Sequence, residues 1–164
     1  MMHVQAPPAR GSTSTEPRPT IVVGYDGSIE SRAALTIAAE RAGEGGTVVA
    51  VFAAEPASDW LDTAYYDSAV KSRQERTQRI FGELSSTELD NVSIEAELAD
   101  GPAAQALTEV ARLHDAREIV VGSRGLRGIR AALGSVSQRL LRMADRPVVV
   151  VPPVGVRAAG GTHA

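Results

Sequence analysis

The segment Gly122-Ser123-Arg124-Gly125-Leu126-Arg127-Gly128-Ile129-Arg130-Ala131-Ala132-Leu133-Gly134-Ser135-Val136-Ser137 lies between two apolar runs, Ile119 to Val121 and Val148 to Val151, and its residue types suit the cradling of a phosphate. Glycines let a backbone pass close to a ligand and adopt positive φ. Gly134-Ser135 opens an expected helix whose first N–H groups are unpaired and carry partial positive charge, which an anion would satisfy. Arg124, Arg127 and Arg130 add charge that could reach the same anion, although at least one of them reads as a solvated loop side chain. Ser135-x-x-Gln138 is also a capping-box pattern, which would tie the Ser135 hydroxyl to a backbone N–H while leaving neighbouring N–H groups for a ligand. Elsewhere, Gly24-Tyr25-Asp26-Gly27-Ser28 ends another apolar run and carries one carboxylate. By residue type, Asp26 stabilises that turn or helps to cap the following helix, and it is the one plausible magnesium ligand.

Positioning these two turns requires a particular scaffold. Thr20 to Tyr25, Thr47 to Ala54, Val92 to Leu98, Glu118 to Gly122 and Pro147 to Val151 read as strands. Between them Ile29 to Ala42, roughly Thr63 to Ser85, Pro102 to His114 and Val136 to Met143 read as helices, the second with an apolar stripe at Tyr66, Val70, Thr77, Ile80/Phe81 and Leu84. The alternation predicts an α/β fold, a parallel sheet with helices on both faces. Strands one, two, four and five are nearly continuous apolar runs, as doubly covered strands should be. Strand three instead alternates Val92, Ile94, Ala96 and Leu98 with Ser93, Glu95 and Glu97, which marks an edge guarded by charge. A doubly wound sheet of order 3-2-1-4-5 satisfies this, and its ligand crevice lies between strands one and four, where both glycine-rich turns would converge.

Composition narrows the function. At 164 residues, 43% apolar and 23% charged, the chain predicts one globular domain at 19–153 with flexible tails at 1–18 and 154–164. A net charge of −3 gives no basic footprint for nucleic acid, and no run approaches membrane-spanning length. The start lacks a basic end followed by an apolar stretch, and the absence of cysteine fits a reducing compartment, so a cytoplasmic location is expected. His3 and His163 fall in the tails and His114 at a helix end, so no Ser-His-Asp arrangement or histidine metal site is visible. The only lysine, Lys71, lies mid-helix, which excludes a Walker A loop and leaves phosphoryl transfer without its usual cation.

Taken in order, Val22-Val23-Gly24-Tyr25-Asp26-Gly27-Ser28, the Gly122 to Ser137 segment and Arg146-Pro147-Val148-Val149-Val150-Val151 resemble the universal stress protein family, over roughly residues 20 to 152. One branch of that family binds ATP through G-x-x-G, a spacer, then G-S/T. Gly122-Ser123-Arg124-Gly125 and Gly134-Ser135 match the two halves, and the spacer Leu126 to Leu133 is one residue shorter than the family pattern. The resemblance implies that Asp26 hydrogen-bonds the ribose, that Gly24 and Tyr25 border the nucleoside, and that the backbone near Ala53 reads the adenine edge. It implies that Gly122, Ser123, Arg124, Gly125, Gly134, Ser135, Val136 and Ser137 surround ribose and phosphates, with magnesium arriving on the nucleotide.

Three functions follow. The first is a cytoplasmic, ATP-binding, nucleotide-responsive stress module; the second is a dimeric interaction protein of the same fold without nucleotide, favoured by the short spacer and by bulky Tyr25; the third is a slow ATP hydrolase, which no base or lysine supports. Val148-Val149-Val150-Val151, uncharged and β-forming at a sheet edge, predicts a homodimer through strand five, and the resemblance implies the same contact. No nucleic-acid or membrane partner is expected, and the sequence names neither the stress nor a downstream protein.

Overall fold

The computed structural model of the chain describes residues 18–54, 63–89, 91–123 and 134–153. Most of the N-terminal tail, the C-terminal tail and residues 124–133, including Arg124, Gly125, Arg127 and Arg130, lie outside the described residues. Among the described residues nine elements follow in strict alternation: β1 (Thr20–Gly24), α1 (Ile29–Ala42), β2 (Thr47–Ala54), α2 (Thr63–Ser85), β3 (Ser93–Asp100), α3 (Ala103–Leu113), β4 (Glu118–Gly122), α4 (Ser135–Met143) and β5 (Val148–Val151). The five strands pair in parallel in the order β3-β2-β1-β4-β5, as the sequence predicts.

Period-two alternation within each apolar run feeds two cores. Ile21, Val23, Val48, Ala50, Phe52 and Val120 meet α1 and α2 on one face. Val22, Val49, Val51, Ile119 and Val121 meet α3 and α4 on the other. Both faces are therefore dry, which is why β1, β2 and β4 need no polar alternation. Helix α1 is rich in alanine and lies close to the sheet through Ala34, Ala38 and Ala42. Its N-terminus is closed by Ser28, whose side chain accepts from the Ser31 N–H, and Gly43 ends it at φ 66°.

Three details depart from the expected pattern. Helix α2 spans 23 residues, about 34 Å, against about 27 Å for the eight residues of β2, so it overshoots the sheet. Its stripe is accordingly buried at Ile80 and Leu84 but lost at exposed Tyr66. On β3, Leu98 is 40% exposed although it shares parity with Ile94 and Ala96, because α2 presents Arg73 and Arg76 at that height rather than apolar side chains. Glu97 is half-buried and its Oε2 accepts a hydrogen bond from His114 Nε2 at 2.9 Å, so of the two edge carboxylates Glu95 alone stands exposed.

The end of the sheet remote from the cleft is tied by charge. Glu118, 3% exposed, accepts two bonds from Arg41, at 2.5 and 2.6 Å. Arg146 donates to the carbonyls of Ala111 and Ala116 and, with Arg112, to Asp145. These bonds fix the turn from α4 into β5 against the end of α3, and the two guanidiniums, Arg146 foremost, hold the Asp145 carboxyl far below the usual carboxylate range.

Candidate functional site

Where the order of strand addition reverses, between β1 and β4, a cleft of about 380 Å³ opens at the carboxyl ends of the strands. That volume lies within the range of small-molecule sites. The tips of β1 (Gly24, Tyr25, Asp26) and β2 (Val51, Phe52, Ala53) form one side, and the tip of β4 (Val121, Gly122) with the first turn of α4 (Gly134 to Ser137) forms the other. Leu107 of α3 contributes to the floor and is itself buried.

Three helices start beside the cleft, and only α1 is closed by a side chain: α3 begins at Ala103 behind Pro102 with no side-chain cap, and α4 is likewise uncapped. At α1 the Ser28 side chain takes up the Ser31 N–H. At α4 the cap is Gly134, extended at φ −62° and ψ 157°, and no side chain caps the helix. The Gly134 N–H donates to Ser123 O at 2.6 Å and Gln138 N–H closes the first helical bond onto Gly134 O, so the N–H groups of Ser135, Val136 and Ser137 form the helix's positive end at the cleft wall. The capping box expected of Ser135 is not formed: Ser135 is the first helical residue and glycine occupies the cap. The Ser137 hydroxyl is engaged internally, donating to Gly122 O at 3.0 Å, and locks the helix start to the strand tip.

Each remaining residue has an identifiable local task. Asp26 Oδ1 accepts the Ser28 N–H at 3.0 Å, the turn-stabilising role its type suggests, while the residue also faces the cleft. Tyr25 places its backbone at the cleft and sends its ring into the α1–α2 layer, 4% exposed, where the hydroxyl donates to Glu83 Oε2 at 3.1 Å. Arg32 donates to that same oxygen at 3.0 Å and holds the Glu83 carboxyl below its ordinary range, and burial with the Glu83 contact raises the tyrosine. The bulk of Tyr25 therefore packs away from the cleft.

Gly122 is glycine for a reason the sequence conceals. A Cβ there would stand 2.8 Å from Glu30 Cβ and 3.0 Å from the Glu30 carbonyl carbon, so the first turn of α1 crosses the tip of β4 too closely for any side chain. Ser123 is not part of the cleft lining; its N–H donates to Val151 O, and its buried hydroxyl has no partner among the described residues. Ala53 lies at the cleft as expected, and beside it are two residues that sequence reasoning missed, Phe52 and Arg76. Nothing local in the sequence singles out Arg76, one of several cations on the polar face of α2.

Among the described residues no group of three or more acidic or histidine side chains could hold a metal ion, and no helix is long and apolar enough to cross a membrane. Among the described residues the cleft offers backbone donors and a helix terminus for an anion, a carboxylate for hydroxyls, and an apolar floor for a flat ring.

Comparison with known proteins agrees with this architecture. Residues 17–152 match the model of the universal stress protein family. A universal stress protein of Thermus aquaticus, described by its position in the QAH/OAS sulfhydrylase 3′ region, is 36% identical over 135 residues, covering 80% of this chain and 97% of that one. Among solved structures, a universal stress protein in complex with cAMP superposes with a TM-score of 0.58 at 27% identity, covering 81% of this chain and 96% of the other. The universal stress protein UspA of Lactobacillus plantarum gives 0.61 at 18% identity, covering 83% and 99%.

Proposed function

The chain belongs to the universal stress protein family, and from its cleft we propose that it binds an adenine nucleotide, ATP in its working state, and acts as a nucleotide-responsive stress module in the cytoplasm. The observation that carries this reading is the α4 N-terminus: uncapped by any side chain, led by an extended glycine, and set in the same cleft as the tips of β1 and β2. Adjacent parallel strands are about 4.8 Å apart, so a nucleotide laid across the sheet spans the β2, β1 and β4 tips in roughly 10 Å. The base then sits by the Ala53 backbone, the ribose by Asp26, and the phosphates by the N–H groups of Ser135 to Ser137. Gly122, Gly24 and Tyr25 shape the walls. Magnesium would ride on the phosphates, with Asp26 the nearest carboxylate. The relative solved with cAMP supports an adenine nucleotide as the ligand class.

Among the described residues the cleft lining contains no lysine, and in this reading the nucleotide acts by occupancy. A dimer through β5 gives occupancy something to signal through. β5 ends the sheet order, and Val148, Val149 and Val150 are only half-buried along its outer edge. Mass spectrometry of ligand released from freshly purified protein, with thermal melts in millimolar ATP, ADP and AMP, tests the reading. An adenine nucleotide in the released fraction and a raised Tm are expected. An empty protein whose melting is indifferent to all three would favour a purely interacting dimer.

A further inference from the structure

The Arg76 guanidinium carbon stands 5.4 Å from the centroid of the Phe52 ring, within cation–π range, and both residues line the cleft next to Ala53. Three residues earlier on the same helix, Arg73 is paired with Asp100 at the end of β3. Among the described residues no carboxylate pairs with Arg76, whose partner is the aromatic face. Phe52 cannot yield its place: it is 4% exposed and packed in the α1–α2 core. A planar cation is thus held on a fixed ring at the β2 end of the cleft, with β1 between it and the α4 N-terminus, where the phosphate donors are.

We propose that Arg76 is a base-binding residue: its guanidinium, seated on Phe52, stacks against the purine face of the bound nucleotide. The inference rests on the adenine-nucleotide reading of the cleft. Guanidinium suits the task because it is flat, always charged and weakly hydrated, so it stacks on a π-face that an ammonium would only approach as a point charge. It also gives the cleft a preference for large electron-rich bases that backbone contacts at Ala53 would supply only through edge recognition.

Calorimetric titration of the full chain and of Arg76→Ala and Arg76→Lys with two probes, adenosine and AMP, tests this. Loss of stacking predicts that Arg76→Ala weakens both probes by the same factor, about 5- to 30-fold, and that Arg76→Lys recovers only part of it. A variant that loses AMP affinity but keeps that for adenosine would make Arg76 a phosphate ligand and overturn the proposal, as would unchanged affinity for both. Arg76→Lys keeps the stem that packs on α2, so it reports even where the alanine variant melts early. A wild type that binds neither probe would overturn the adenine-nucleotide reading itself and this inference with it.

Discussion

Two glycines of the same segment should fail in opposite ways when given side chains. At Gly122 an added Cβ falls 2.8 Å from Glu30 Cβ, where non-bonded carbons settle at about 3.5 to 4.0 Å, a shortfall of roughly 0.7 Å. The obstruction includes the Glu30 carbonyl carbon and oxygen at 3.0 Å, which belong to the first turn of α1 and cannot rotate away. Relief requires moving a helix whose Ala34, Leu35 and Ala38 are fixed in the core. Overpacking of this kind costs about 1 to 3 kcal/mol, which for a chain of this size lowers Tm by about 3 to 12 °C. Gly134 is different: at φ −62° and ψ 157° its backbone suits any residue, and a valine at that cap costs about 1 kcal/mol or less. Differential scanning calorimetry without ligand should therefore find Gly122→Ala clearly destabilised and Gly134→Val nearly intact. ATP titration should find that Gly134→Val has lost binding, because its side chain occupies the approach of the phosphates. A Gly122→Ala variant as stable as wild type would refute the packing argument, and a Gly134→Val variant that binds ATP normally would place the phosphates elsewhere.

Asp26→Ala should weaken ATP roughly 10- to 150-fold, the cost of removing a charged hydrogen-bond partner, whereas Asp26→Asn, which keeps an oxygen for the Ser28 N–H, should retain the turn and still lose much of the affinity. A fall of twofold or less in the alanine variant would leave the turn as its whole role. Asp145 has a folded pKa lowered by Arg146 and Arg112, so its contribution to stability is complete above the unfolded carboxylate value, near pH 4, and disappears as pH falls below it. Chemical denaturation at a series of pH values should show wild type more stable than Asp145→Asn at neutrality, with the gap closing under acid; a gap independent of pH would contradict the ion-pair account. Val149→Pro removes a donor from the middle of β5 and should convert a dimer to a monomer by light scattering; a monomeric wild type at micromolar concentration, or a dimeric folded proline variant, would remove the β5 interface.

The sheet was legible because its signals are local and mutually consistent. β-branched runs bounded by glycine and proline located every strand within a residue or two, and the charged alternation of β3 fixed it at an edge and thereby ordered the other four. The cleft was legible to the same extent, since the tips of β1 and β4 converge wherever such an order reverses. What the sequence concealed depends on packing between distant segments. Gly122 looks like a phosphate glycine but is imposed by the approach of α1, and Ser135 matches a capping box but the cap falls one residue earlier, on Gly134. Tyr25 looks too bulky for a nucleoside wall until its ring is seen to reach Glu83 in the opposite layer. Arg76 comes to the cleft only because α2 is laid across β2, a fact that no motif encodes.

The most direct test of the central claim is a two-dimensional amide NMR titration of the isotopically labelled chain with ATP. The account predicts one saturable set of shifts, largest at the N–H groups of Ser135, Val136 and Ser137 and continuing through Asp26 to Ala53. An unmoved spectrum at millimolar ATP, or shifts confined to surfaces away from the tips of β1, β2 and β4, would contradict it.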